Sequence, residues 1–145
     1  MRISMKADYA VRAVVDLGHR YGQGLVQSAE IAQRQFIPEA YLDQLLTALR
    51  KAGIVRSLRG PQGGHELARP PDQITMEVVV STLEGPFTPV ECLENIPFCA
   101  LVPGCGQREV WQEIQDSVQS VLTRHTIADL VAREKERRER IVYYI

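Results

Sequence analysis

A mostly helical fold with one small β-hairpin is what this sequence predicts, and three observations carry that reading. Apolar residues recur at helical spacing in several separate stretches. The pattern changes to short, β-branched alternation only between Ile54 and Leu67, around the turn cluster RGPQGG. The longest apolar stripe, over 107–123, exceeds what a small core needs and asks for a partner. Taken in order, these features outline a winged helix-turn-helix followed by a long dimerisation helix.

Residues 5–21 form the first helix, with Ala10, Val14, Leu17 and Tyr21 on one side and Lys6, Arg12, Asp16 and Arg20 opposite. Gly22 and Gly24 end it, and Leu25 and Val26 are long enough for a very short strand. Ser28 is a good N-cap for SAEIAQRQ, with Glu30 in the first turn, and Phe36 and Ile37 close that helix. Pro38 suits the first position of the next helix, 38–52, which places Leu42, Leu45, Leu46 and Leu49 on one face and ends at Gly53. IVRSL and HEL then pair across RGPQGG as the wing. The stretch 68–74 reads as a linker, and TMEVVVSTLEG as a short helix.

A loop rich in proline and glycine follows, including Pro97 and Pro103, and it leads into the long helix at 107–123. Val110, Ile114, Val118, Val121 and Leu122 make the stripe of that helix, with Trp111 beside it. Thr126 and Asp129 match a capping box that opens a final helix, and REKERRER is its solvated face. The chain divides at the linker. Residues 1–74 are expected to be the DNA-binding domain, and 75–145 to carry the cysteine loop and the dimerisation helices.

At 145 residues with a formal net charge of -1, the chain has no global basic field, so any nucleic-acid contact must come from a local patch. No apolar run is long enough for a membrane span, and the first twenty residues lack a signal-peptide core. The expectation is a cytoplasmic protein. The only cysteines are Cys92, Cys99 and Cys105. In that compartment such clustering points to metal or redox chemistry rather than to structural disulfides. No nucleophile and base constellation is present, and the glycines of RGPQGG do not precede a helix as a phosphate loop would. The chain is therefore not expected to be an enzyme.

The second helix of a helix-turn-helix meets base edges with its first turns. Those residues here are Glu39, Ala40, Tyr41, Asp43 and Gln44. Gln44 has the donor and acceptor pair that suits adenine, and Asp43 can accept from a cytosine amino group. Between positions 50 and 69, Arg50, Lys51, Arg56, Arg59 and Arg69 face a single acid, Glu66. Arg59 stands at the wing tip, where it could enter a narrow minor groove or pair with phosphates. A dimer would present two such heads to a palindromic operator on double-stranded DNA. A winged-helix protein-interaction module is the alternative.

MRISMKADYAVRAVVDLG, IPEAYLDQLLTALRKAGIVRSLRGPQGGHELARP, the three-cysteine loop and HTIADLV together resemble the Rrf2 family of bacterial transcription regulators, the IscR- and NsrR-like proteins. The resemblance covers nearly the whole chain. It implies a dimeric winged helix that regulates iron-sulfur biogenesis, nitric-oxide and redox stress, or cysteine metabolism. Many members hold an iron-sulfur cluster on three loop cysteines, and some hold none. By resemblance, Asp43, Gln44 and Arg59 fall where members read or grip DNA, while Ala40 occupies a place that is often polar.

Thiolates suit zinc and iron-sulfur clusters. The spacing C-x6-C-x5-C is wider than the usual zinc knuckle, which favours a cluster, and a metal-free thiol sensor remains an alternative. A cluster needs a fourth ligand. His19, His65 and His125 are the only histidines. Some members place a histidine three residues after the last cysteine, where this chain has Arg108. Another subgroup uses a histidine where this chain has Arg12. Others use an acidic residue near the start of helix one, reached across the dimer, and this chain has Asp8 there. The resemblance thus implies Cys92, Cys99 and Cys105 plus Asp8 of a second subunit. It leans toward a 4Fe-4S rather than a 2Fe-2S cluster, sensing nitric oxide or redox state.

Overall fold

The computed structural model describes residues 2–95 and 99–144, so Pro97 of the cysteine loop lies outside it. Among the described residues, six helices and one two-stranded antiparallel hairpin follow in order. They are α1 (Met5–His19), α2 (Ser28–Gln35), α3 (Glu39–Lys51), β1 (Val55–Leu58), β2 (Gly64–Leu67), α4 (Met76–Glu84), α5 (Gly106–Arg124) and α6 (Ile127–Tyr144). The mostly α architecture with a β-hairpin wing is the one the sequence predicts.

Helix α1 is the centre of the core. Ser4 caps it by accepting from the Ala7 N–H at 3.2 Å. Ala7, Ala10, Ala13, Val14 and Leu17 are buried along it. The alanines let neighbouring helices approach closely, and a Cβ at Gly18 would stand 3.0 Å from Ile127 and Val131 of α6. One apolar cluster joins Val14 and Leu17 of α1, Leu42 and Leu46 of α3, Val79 of α4 and Ile127 of α6. It therefore spans both sides of residue 74.

The side assigned to Asp16 needs correction. The periodicity puts it with the solvent-facing charges of α1, yet it is 2 % exposed, while Tyr21 beyond the helix end is 43 % exposed. The reason is a partner set on α2. Arg34 donates from Nε at 3.0 Å and from Nη2 at 2.8 Å to the two carboxylate oxygens, and Gln35 Nε2 donates at 3.1 Å. Arg20 adds its charge at 3.6 Å. Burial raises the Asp16 carboxyl pKa, but these bonds and charges outweigh it and hold the group below its ordinary 3.8.

Four details differ from the sequence reading. Helix α1 stops at His19 rather than at residue 21. Ser28 is the first residue of α2, and Gln27 precedes it without a side-chain cap. The Gln27 amide instead donates to the Gly63 carbonyl of the wing. Pro38 precedes α3 in extended backbone, and the helix begins at Glu39. The stretch read as a linker is also anchored. A 3-10 turn spans Pro71–Gln73, Ile74 is fully buried, and its carbonyl accepts from Ile127 N–H at 2.8 Å. The capping box appears as expected: Thr126 N–H donates to Asp129 at 2.9 Å, and Asp129 N–H donates to the Thr126 hydroxyl at 3.2 Å.

Removing the buried carboxylate in Asp16→Ala is expected to cost about 2–4 kcal/mol in urea titrations. Because the native carboxyl pKa lies below its unfolded value, its contribution is complete above the unfolded value and is lost as pH falls through the native one. Wild type should therefore lose its margin over Asp16→Asn only in acid. A margin that stays constant between about pH 6 and pH 2 would contradict the pairing.

Candidate nucleic-acid interface and cysteine loop

The surface expected to read DNA is built by α3 and the wing. Leu42, Leu45, Leu46 and Leu49 bury one side of α3, which leaves Glu39, Ala40, Asp43, Gln44 and Arg50 exposed on the other. Lys51 is exposed at its C-terminal end. Tyr41 is only half-exposed, because its ring packs edge-on against Tyr9 with centroids 5.8 Å apart. The Arg12 guanidinium lies over the Tyr9 ring at 5.2 Å.

The wing faces α3 across an open cleft of about 510 Å³, in which Asp43, Thr47 and Arg50 oppose Ser57 and Arg59, with His65 at the base. Strand register pairs Arg56 with Glu66 and Ser57 with His65. Arg56 donates from Nε to Glu66 at 3.0 Å, so its charge is already engaged. Arg59 is exposed at the tip. Ser57 Oγ and His65 Nδ1 are 2.7 Å apart. Burial lowers the His65 pKa, with Asp43 pulling it back up and Arg50 adding to the fall. The imidazole is therefore neutral near pH 7 and adds no positive charge to the cleft.

Backbone geometry fixes the wing against the helices. Val26 exchanges two hydrogen bonds of 2.8 Å with His65, so the short strand expected at Leu25 and Val26 is a single bridge on the hairpin's edge. Gly64 has φ +153, and a Cβ there would meet the Val26 carbonyl oxygen at 2.7 Å. A Cβ on Gly63 would meet the Leu58 carbonyl oxygen at 2.0 Å. Only glycine lets the three segments close. The Gln27 tether to Gly63 went unseen in the sequence, since an exposed glutamine before a helix carries no signal of a partner on the wing.

The cysteine loop joins α4 to α5. Cys92 lies in the 3-10 turn Glu91–Leu93, and Cys105 immediately precedes α5. All three thiols are free and half-buried. Gln115 of α5 donates to the Phe87 carbonyl at 3.0 Å and ties the start of the loop to the long helix. Glu84 at the end of α4 accepts from Ser4 N–H at 2.6 Å, which joins the helix that leads into the loop to the start of α1.

The expected ligand set does not assemble within one chain. Among the described residues, no three His, Cys, Asp or Glu side chains are grouped so as to hold a metal ion. Asp8 is exposed and pairs with Arg12 at 2.6 Å, one helical turn on. His19 contacts Glu134 of α6 at 2.7 Å, and His125 lies 3.4 Å from Arg133. Arg108 has a buried Nε without a hydrogen-bond partner. The donors are chemically suited to a cluster, but their arrangement is not that of a formed site.

On α5, Val110 is 54 % and Val121 46 % exposed, and Ile114, Val118 and Leu122 are half-buried. No residue of the helix is fully buried. No helix among the described residues is long and apolar enough to cross a membrane.

Comparison with known proteins agrees in sequence and in fold. The model of the Rrf2 family, described as an iron-dependent transcriptional regulator, matches residues 3–133. The HTH-type transcriptional regulator CymR of Bacillus subtilis is 37 % identical over 145 residues, covering all of both chains. The solved structure of CymR, described as the global cysteine regulator of that organism, superposes with a TM-score of 0.78 at 38 % identity. It covers 92 % of this chain and 98 % of that one. IscR of T. potens gives a TM-score of 0.76 at 37 % identity, covering 94 % of this chain and 90 % of that one.

Substituting Gly64→Ala is expected to cost about 1–3 kcal/mol, through strain at a positive φ and collision with Val26. Thermal unfolding of the variant checks this, and an unchanged melting temperature would remove the close approach of wing and bridge from the account.

Proposed function

This chain belongs to the Rrf2 family of transcriptional regulators, and from that premise we propose that it binds a palindromic operator as a homodimer under the control of its cysteine loop. It is a DNA-binding regulator of transcription, not an enzyme. The observation that carries the proposal is the exposed Asp43, Gln44 and Arg50 face of α3 set across one cleft from the wing-tip Arg59. Asp43 and Gln44 supply an acceptor and an amide for base edges in the major groove. Arg50, Lys51 and Arg59 supply charge to the phosphates, and Arg56 is partly neutralised by Glu66. The open apolar face of α5 supports the homodimer, since Val110 and Val121 gain by burial against a second copy.

The loop between α4 and α5 is the controlling element in this reading. A change at Cys92, Cys99 or Cys105 reaches the dimer helix through the Gln115 tether. It reaches the reading head through α4, whose Glu84 holds the start of α1. Operator occupancy then changes only if the two loop states differ in affinity for DNA. An iron-sulfur cluster is one occupant, held by the three thiolates with Asp8 of a second subunit, as in the reading that favours a 4Fe-4S form. The donor chemistry supports it, and the dispersed donors within one chain do not. Control by the thiols themselves is the second reading. Three free, half-buried thiols and the likeness to a global cysteine regulator favour it.

Anaerobic purification followed by native mass spectrometry and visible absorption separates the two. A cluster mass lost in Asp8→Ala supports the first reading, and metal-free protein supports the second. DNA binding is checked by gel shift across salt concentrations. The affinity should fall linearly on a log–log plot, and Arg59→Ala should lower that slope by about 1. A shift indifferent to salt, together with a stable complex with another protein, would favour the interaction-module alternative.

A further inference from the structure

Phe36 breaks two local rules at once. Among the described residues it is the one non-glycine residue with positive φ, at φ 55 and ψ 45. It is also 87 % exposed, level with Tyr143 near the C-terminus. Its backbone place is explained. It ends α2 with its N–H bonded to the Ala32 carbonyl, and Ile37 N–H reaches the same oxygen at 3.0 Å. This closure is ordinarily made by glycine or asparagine, which take the left-handed conformation without a Cβ penalty. Phenylalanine is poor there on conformational grounds, and its ring gains nothing from burial. A residue that costs the fold on both counts points to a role outside the fold.

Its position says which role. Phe36 lies in the turn that delivers α3, three residues before Glu39. Ala40, in the first turn of α3, is exposed as well. Both exposed apolar side chains belong to the segment that leads into the Asp43 and Gln44 turn of α3. In the major groove the apolar feature of a base edge is the thymine C5-methyl, and phenylalanine and alanine are side chains that contact it.

We propose that Phe36, with Ala40, reads a thymine methyl in each operator half-site and is a specificity-determining residue of this chain. The inference rests on the DNA-binding reading above. Polar readout by Asp43 and Gln44 then accounts for only part of the recognised sequence.

The test uses the full chain and a duplex that it selects from a random-sequence pool. Enrichment of a duplex bound in a salt-dependent way establishes DNA reading itself. Failure to enrich any duplex would end that reading and this inference together. With the selected duplex in hand, deoxyuridine replaces thymine at each position in turn, which removes the methyl and nothing else. One position per half-site should weaken wild-type binding roughly tenfold. The same replacement should leave Phe36→Ala nearly unaffected, and that variant should accept cytosine there. Equal losses in both proteins, or an unchanged selected sequence for Phe36→Ala, would overturn the inference while DNA reading stands. Phe36→Gly guards against a folding artefact. It relieves the left-handed strain, so it should melt at or above wild type and still lose the thymine preference. A lower melting temperature would show that Phe36 serves the fold, and would overturn the inference too.

Discussion

The buried carboxylate of Asp16 is the constraint on which the reading half depends. It sits in the last turn of the core helix, and its partners, Arg34 and Gln35, are the last two residues of α2. Fixing that end fixes the turn through Phe36 and Ile37, and so the point at which α3 departs. A buried charge left unpaired is costly, so the interaction tolerates few arrangements of α1 against α2. Apolar packing of Leu42, Leu46 and Leu49 then sets how deeply α3 lies. The polar anchor gives direction, and the leucines give affinity for the core.

The wing is held by a different device. Val55 and Leu67 anchor its base in the core, and closer to the tip it is held by the Val26 backbone, the Gln27 side-chain amide and two glycines without room for a Cβ. This leaves the outward side chains of the hairpin free for another surface. Arg59 is carried out on a stem that is itself tied to the residues preceding α2. The two halves of the proposed reading face are thus referenced to the same segment. Among the described residues, the cysteine loop is tied to α5 by the Gln115 bond to Phe87, and the end of α4 before it is tied to the start of α1 by the Glu84 bond to Ser4.

Much of this was legible in the sequence. Leucines at 42, 45, 46 and 49 mark a helix face, RGPQGG marks a tight hairpin, and Thr126 with Asp129 marks a helix start. Each is a local signal in which the partner lies within a few residues. Asp16 and Ile74 are misplaced by the sequence, and Gln27 carries no signal in it, because their partners lie far away in the chain, at Arg34, Ile127 and Gly63. Burial of a charged residue follows from who meets it, and periodicity carries no record of that. The cysteine spacing placed three thiols in one loop, but spacing does not dictate convergence. In the sequence Phe36 marks only a helix end, because exposure and a left-handed backbone are properties of the folded chain.

We propose that α3, its leading turn and the wing form one DNA-reading surface, separate from the α5 and α6 helices. Hydrogen exchange of the full chain, with and without its selected duplex, tests this most directly. Exchange should slow on DNA binding across residues 36–51 and 56–66, with α6 unchanged. Slowing confined to α5 and α6, with the wing and α3 unaffected, would contradict it.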